Sequence, residues 1–358
     1  MLKIVLIDGL INKSELKYPD RISCTIFPTG FDVSNISQSH ATTIAKVLDN
    51  LASEYVLENY VALQSDDSTN IKYLIQGLQY CIVRKPDIVI ISLGSMIPAD
   101  GINMYPFIQE LHKKGCTIFA AQSNNGILTF PASFHEVIAI QRDYFDLMPP
   151  YSVRSESNHP LGVNITINCR WLLEEMSISY RNSFVTPVVA ALYCNNLESV
   201  NKKDVTFQYS ESDSGNIWSD GLLKANNTRK CRVCLCEDNP WNSFSNEVVQ
   251  ELNRKKNVHS IGLYMDRMSM PFPCWMRVDS KSDISSQIQF YEQYCFCELV
   301  LFSFSSKYLS KVVSQLDIDI EIRMNRIGHM VWKTDEKIDR YSLLSASRAA
   351  EHICEILS

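Results

Sequence analysis

A chain of 358 residues, 46% hydrophobic and 21% charged, has the make-up of an ordinary globular protein, with room for two domains of roughly 150 residues. Its net charge of -6 offers no basic surface for nucleic acid, and no apolar run approaches the ~18 to 20 residues of a membrane helix. The twelve cysteines lack the regular spacing of a small disulfide scaffold. Several, such as Cys116 and Cys194, sit inside apolar runs, so they read as reduced, buried thiols of an intracellular protein.

The first apolar run, Lys3 to Ile7, leads straight into Asp8-Gly9. A strand this early belongs to the fold itself and leaves no room ahead of it for a signal peptide or pro-segment. Further strands are expected at Asp87 to Leu93, Thr117 to Ala121 and Val137 to Ile140. Between them, Ile44, Val47, Leu48 and Leu51 recur at i, i+3, i+4 and i+7, the period of an amphipathic helix whose N-terminus carries His40. Ile71, Leu74, Ile75 and Leu78 mark a second helix; Phe107, Ile108 and Leu111 mark a third, ended by Gly115. After Ser183, a helix presents Val188, Val189 and Leu192, with Pro187 near its first turns, where a missing N–H costs least. Strands alternating with helices predict an α/β fold with a parallel sheet flanked by helices.

Between Ser199 and Arg229 the chain turns polar, which predicts a first domain over 1–199, a linker or boundary over 200–229 and an accessory domain over 230–358. In the last, strands are expected at Arg232 to Cys236, Ser260 to Tyr264, Glu298 to Phe302 and Ile318 to Met324. Helices are expected at Val248 to Leu252, Ile284 to Tyr291, Leu309 to Leu316 and Ser345 to Leu357. Ile320 to Met324 and His329 to Lys333 read as a hairpin across Asn325 to Gly328, carrying Arg323 and Arg326. Cys231, Cys234, Cys236 and the pair Cys295 and Cys297 lack a two-residue spacer on both sides, which favours buried thiols over zinc. His259 and His329 read as isolated histidines, and no metal or cofactor is expected.

Open parallel sheets collect their active sites beyond the carboxyl ends of the strands. Asp8 ends one strand and Asn124 lies just past another, while His40 and Ser183 open helices, so four groups distant in sequence converge on one rim. Taken singly, each has a plainer reading: a turn or cap for Asp8, a helix start for His40, a turn for Asn124-Asn125-Gly126, an N-cap for Ser183. Their joint order, Asp then His then Ser, is that of subtilisin.

Over roughly its first two hundred residues the chain resembles the subtilisin-like serine protease (subtilase) family. The family's V-x-D-[ST]-G resembles Val5 to Gly9 with one apolar residue inserted, which gives Asp8 the role of orienting acid. H-G-T-x-V-A-G resembles His40 to Lys46, with Ala41 and Lys46 at the two glycine positions and His40 as general base. A-A-G-N-x-G resembles Ala120 to Gly126, with Ser123 for the glycine and Asn124 as oxyanion donor. G-T-S-M-A-T-P-H-V-A-G resembles Arg181 to Ala191, with Ser183 as nucleophile, and here Arg181-Asn182 replace Gly-Thr with two large polar side chains where substrate approaches.

The resemblance implies a subtilisin-like sheet for the first domain and a serine endopeptidase acting through a Ser-His-Asp triad. Ser92, Leu93 and Gly94 match the family's S-L-G segment, against which an extended peptide pairs as an added strand. Thr129 stands where a pocket glycine often lies, which predicts a narrow pocket for a small residue before the cut. Phe130-Pro131-Ala132 resembles the family's Y-P-A turn, and the same residues can equally serve only to anchor the loop. The implied partner is a peptide or protein substrate, such as a leader-bearing precursor processed in the cytoplasm, with the C-terminal domain binding substrate, a partner or a second copy. The other reading is an inactive subtilase-like protein that binds a peptide or serves assembly, and Arg181-Asn182 is its support.

Overall fold

In the computed structural model the opening run forms β1 (Leu2–Asp8), with Ile4, Val5, Leu6 and Ile7 all buried. The structure describes residues 1–34, 36–64, 68–125, 128–156, 159, 161–197, 207–209, 231–237, 244–255, 260–264, 275–277, 284–294, 299–304, 314, 316–324, 329–334, 338–342 and 345–357. A strand buried on both faces reads as a continuous apolar run, the signature of a central parallel strand. The same holds for β4 (Ile88–Ile91) and β5 (Thr117–Ala121). The remaining strands of this sheet are β2 (Ile22–Ile26), β3 (Tyr55–Val61), β6 (Ile138–Arg142), β7 (Ser152–Ser155), β8 (Ile165–Asn168) and β9 (Gln208–Tyr209). Their order is β2-β3-β1-β4-β5-β6-β8-β7-β9, parallel except where β7 meets β8.

The helices cover both faces of this sheet. On one, α1 (Ser39–Leu51) and α5 (Asn182–Leu197) pack together. They share a core with Ile4 and Leu6 of β1, Ile88 and Ile90 of β4, Phe119, Ile140, Ile165 and Ile167. On the other, α2 (Ile71–Arg84) packs against α3 (Pro98–Lys113), with Gly77 set close to Ile7 and Tyr60. A short α4 (Arg170–Glu175) follows β8. The expected fold, α/β with a mostly parallel sheet flanked by helices, is the one observed. The third helix starts nine residues before Phe107, at Pro98, and runs through Pro106, which hides its period in the sequence. Within the segment expected as a boundary, Gln208 and Tyr209 pair with β7, so the first sheet draws on chain beyond residue 199.

The chain divides into two compact units, the first mainly from residues 1–223 and the second mainly from 224–358. The second has a seven-stranded sheet of its own in the order β12-β11-β13-β10-β14-β15-β16. These strands are β10 (Cys231–Glu237), β11 (Ser260–Tyr264), β12 (Trp275–Arg277), β13 (Leu299–Phe304), β14 (Ile320–Met324), β15 (His329–Lys333) and β16 (Ile338–Ser342). The first five named run parallel, and β14, β15 and β16 continue as an antiparallel meander. Among the described residues, α6 (Phe244–Lys255), α7 (Ile284–Tyr294) and α8 (Ala346–Leu357) accompany them. Most of the expected helix Leu309 to Leu316 lies outside the described residues, as do Cys295, Cys297, His259, Arg326 and Gly126. Cys231, Cys234 and Cys236 are buried on β10. Among the described residues no helix is long and apolar enough to cross a membrane.

Candidate active site

The chain leaving β1 is held by contacts that only glycine allows. A Cβ on Gly9 would lie 2.3 Å from the Ser37 carbonyl oxygen, to which Leu10 N donates at 2.8 Å. Asn59, buried on β3, grips the same loop: its Nδ2 donates to Gly9 O (2.9 Å) and its Oδ1 accepts from Ile11 N (3.0 Å). The segment entering α1 is thus fixed against the end of β1, and the first turn of α1 delivers His40 to Asp8.

Asp8 is fully buried, a position that a carboxylate tolerates only with partners. Its Oδ1 accepts from Gly9 N at 2.7 Å, and His40 Nδ1 lies 2.8 Å from Oδ1 and 3.1 Å from Oδ2. A carboxylate in its ionised form can only accept, so in that pairing Nδ1 is the donor, and a neutral ring then carries its lone pair on Nε2. The His40 side chain is 20% exposed, and its ring centre lies 5.0 Å from that of Phe184, the residue after Ser183.

Ser183 stands in the first turn of α5 and is nearly buried. Arg181 O accepts from Phe184 N and Val185 N, both at 3.0 Å, which starts the helix. Val185, Val188 and Val189 bury α5 beside α1, so His40 and Ser183 come from the first turns of neighbouring helices on one face. Pro187 has no N–H for the Ser183 carbonyl four residues earlier. Ser92 Oγ donates to that oxygen at 3.4 Å, tying the end of β4 to α5.

Asn182 corrects one expectation. Its side chain does not stand where substrate approaches; the residue is fully buried and turned inward. Its Oδ1 accepts from Arg142 N (2.9 Å), and its Nδ2 lies 2.9 Å from Gln122 O, 2.9 Å from Ser123 O and 2.7 Å from Tyr144 Oη. Tyr144 Oη in turn donates to Ser123 O at 2.8 Å, and burial holds this phenol above its ordinary pKa, hence protonated. The inward turn meets two main-chain carbonyls just past β5 and one main-chain N–H at the end of β6, groups that a buried amide can satisfy and an alkyl group cannot. Arg181, by contrast, is exposed.

Asn124 Oδ1 accepts from Asn182 N at 2.9 Å. Its Nδ2 is engaged by no described residue and remains a free donor beside the start of α5. Among the substrate-binding candidates, Ser92 is half-buried, Leu93 buried and Gly94 exposed. Next to them Ser95 and Phe130 exchange a pair of hydrogen bonds, both 2.8 Å. Thr129 is buried, and its methyl fills the space beside Gly94: a Cβ on Gly94 would lie 2.3 Å from it. The structure therefore brings together Asp8 with His40, His40 with the residue after Ser183, Asn124 with the residue before it, Ser92 with Ser183, and Gly94 with Thr129. Sequence reasoning passed over Asn59, Tyr144 and Phe184; a buried asparagine inside an apolar strand is the only one of these with a signal to notice. Among the described residues no group of three His, Cys, Asp or Glu side chains is placed to hold a metal.

No family model matches the chain. It is 22% identical over 206 residues to the minor extracellular protease Epr of Bacillus subtilis (strain 168), a similarity covering 54% of this chain and 31% of that protein. The chain thus spans about a third of that relative's length. Among solved structures, a lanthipeptide protease is 16% identical with a TM-score of 0.40, covering 57% of this chain and 76% of the other. The subtilisin-like protease Apa1 of the Antarctic psychrotroph Pseudoalteromonas sp. AS-11 is also 16% identical, with a TM-score of 0.32, covering 39% and 36%. These similarities are all to proteases, and the chain resembles the subtilisin-like ones.

Proposed function

We propose that this chain is a serine endopeptidase in which Ser183, His40 and Asp8 act as a triad and Asn124 as oxyanion donor. The observation that carries the reading is the bond from His40 Nδ1 to the fully buried Asp8 carboxylate, which leaves Nε2 basic at the edge of α5. His40 Nε2 takes the Ser183 Oγ proton as Oγ bonds to the peptide carbonyl carbon; the oxyanion is stabilised by Asn124 Nδ2 and the Ser183 N–H. His40 then delivers the proton to the leaving nitrogen as the C–N bond breaks, and water hydrolyses the acyl-enzyme by the same path in reverse. The N-terminus of α5 adds a favourable field for the negative charge.

Substrates in this reading are extended peptides laid along Ser92, Leu93 and Gly94, and the filled space between Gly94 and Thr129 supports a small residue before the cut. A dedicated peptide such as a leader-bearing precursor suits so narrow a site, with the second unit holding the substrate or a partner. The inactive peptide-binding reading drew its support from Arg181-Asn182 crowding the serine, and the burial of Asn182 removes half of that support. The test is covalent labelling with a fluorophosphonate, read by intact mass for wild type, Ser183→Ala and His40→Ala. One adduct on wild type and none on either variant is expected; a folded wild type that takes no label would overturn the proposal.

A further inference from the structure

Arg142, the last residue of β6, is placed unlike the other arginines near the site. It points to the same face as Ile140, the α5 face, and its guanidinium carbon lies 4.5 Å from the Tyr144 ring centre and 5.4 Å from that of Tyr180. Its Nε is buried with no hydrogen-bond partner, and among the described residues the guanidinium makes no ion pair. The acids close in sequence are already engaged. Asp143 accepts from Phe145 N (3.3 Å) and Met148 N (2.7 Å), and Asp146 is paired with Arg170, which lies over Tyr180 at 4.8 Å. Arg154 pairs with Glu156. Arg142 thus lies close to two tyrosine rings, partly buried, and among the described residues it has no carboxylate partner.

Its place relative to the scissile bond follows from the sheet. β4 runs on into Ser92–Gly94, β5 into Asn124, and β6 ends on Arg142, three neighbours in that order. With the acyl half of a peptide along Ser92–Gly94 and the oxyanion at Asn124, the next position outward serves the leaving half. Arg142 N is bonded to Asn182, so the arginine is anchored to the residue before Ser183. A planar guanidinium carries its terminal nitrogens in a rigid fork, the geometry that receives a carboxylate through two parallel bonds.

We propose that Arg142 is a specificity residue that binds a carboxylate of the substrate on the C-terminal side of the cut, so that the preferred peptides are acidic there. This rests on the protease reading for the direction of the peptide, and the experiment separates the two. Immobilised full-length Ser183→Ala protein is offered a mixed decapeptide library, half of it with carboxylates converted to methyl esters, and captured peptides are counted by mass spectrometry. Free acids should be captured on the order of tenfold over esters, the scale of one charge-assisted pair. Adding Arg142→Gln should bring the ratio near one, and Arg142→Lys, which lacks the fork, should restore it only in part. Sequencing of peptides cut by wild type should place the acid after the cut. Capture blind to esterification, acid selection unchanged in Arg142→Gln, or acids placed before the cut would each overturn the proposal, and the ester comparison on the parent protein stands even if the arginine variants fail to fold. Fluorophosphonate labelling that fails while acid capture persists sinks the protease reading alone; labelling with ester-blind capture sinks this inference alone.

Discussion

Arg181 and Asn182 are adjacent, large and polar, yet their removal should have opposite consequences. In Asn182→Ala, Arg142 N loses its acceptor and Gln122 O a donor, each at 2.9 Å. Ser123 O keeps Tyr144 Oη as donor at 2.8 Å, so it and the phenol remain satisfied. Two buried groups losing a partner at ~1–3 kcal/mol each give a loss of roughly 2–6 kcal/mol. For a unit of this size that lowers its unfolding transition by roughly 5–20 °C. Arg181→Ala removes only exposed atoms and should stay within about 0.5 kcal/mol. Calorimetry on the two variants and wild type measures the contrast. The inward placement of Asn182 is refuted by a variant at 182 that melts with wild type, or by a loss at 181 as large as the one at 182.

Asp8→Asn should leave the fold in place and slow acylation by on the order of 10⁴-fold, the scale of that change in a Ser-His-Asp triad, measured as the fluorophosphonate labelling rate. Gly9→Ala puts a methyl against the Ser37 carbonyl, a backbone atom that cannot swing aside; a cost of about 1–3 kcal/mol and slower labelling should appear together in denaturant and mass assays. Gly94→Ala should be destabilising through the Thr129 methyl, and Thr129→Ser should relieve it, giving a coupling above ~0.5 kcal/mol in a double-mutant cycle of urea midpoints. Burial raises the Cys81 and Cys169 thiols and pushes Cys116 up to about 12. Because these folded values exceed the unfolded ~8.5, the thiols' contribution to stability is whole below that pH and is lost as pH climbs through the raised values. Urea midpoints should therefore fall steadily from about pH 9 upward, and a flat profile to pH 11 would show the thiols to be accessible.

What the sequence disclosed and what it hid follow from burial. β1, β4 and β5 are legible because both their faces are covered, which leaves unbroken apolar runs. β3 escaped notice because Glu58 and Asn59 interrupt its run, and each has a structural reason to be there. Glu58 pairs with Arg84 at the edge of α2, and Asn59 holds the loop beyond Asp8. β2 and β8 are short and carry polar residues at alternate positions, too few to declare a period. The convergence of Asp8 with His40 could be argued from strand ends and helix starts, since topology alone carries both to one rim. The direction of the Asn182 side chain could not. It depends on Gln122 O, Ser123 O and Arg142 N, main-chain groups supplied by two strands forty to sixty residues away.

The departures from the family pattern bear on whether a strained or crowded serine is the right picture. Gly-Thr before the nucleophile is compact, with Arg181 at the glycine position and Asn182 at the threonine, and an asparagine there crowds the substrate only if its side chain faces outward. Here the amide is drawn inward by three oxygens and one N–H, so of the two large polar residues only Arg181 is left exposed, while Asn182 N still reaches Asn124 Oδ1. That bond commits the Asn124 oxygen, and no described residue engages its Nδ2, the arrangement that the proposed oxyanion role requires. The substitution that looked most damaging in the sequence thus ties the start of α5 to the carbonyls past β5 and to β6, the strand that presents Arg142, while Asn124 is held by the main-chain N–H of residue 182, which any residue but proline supplies.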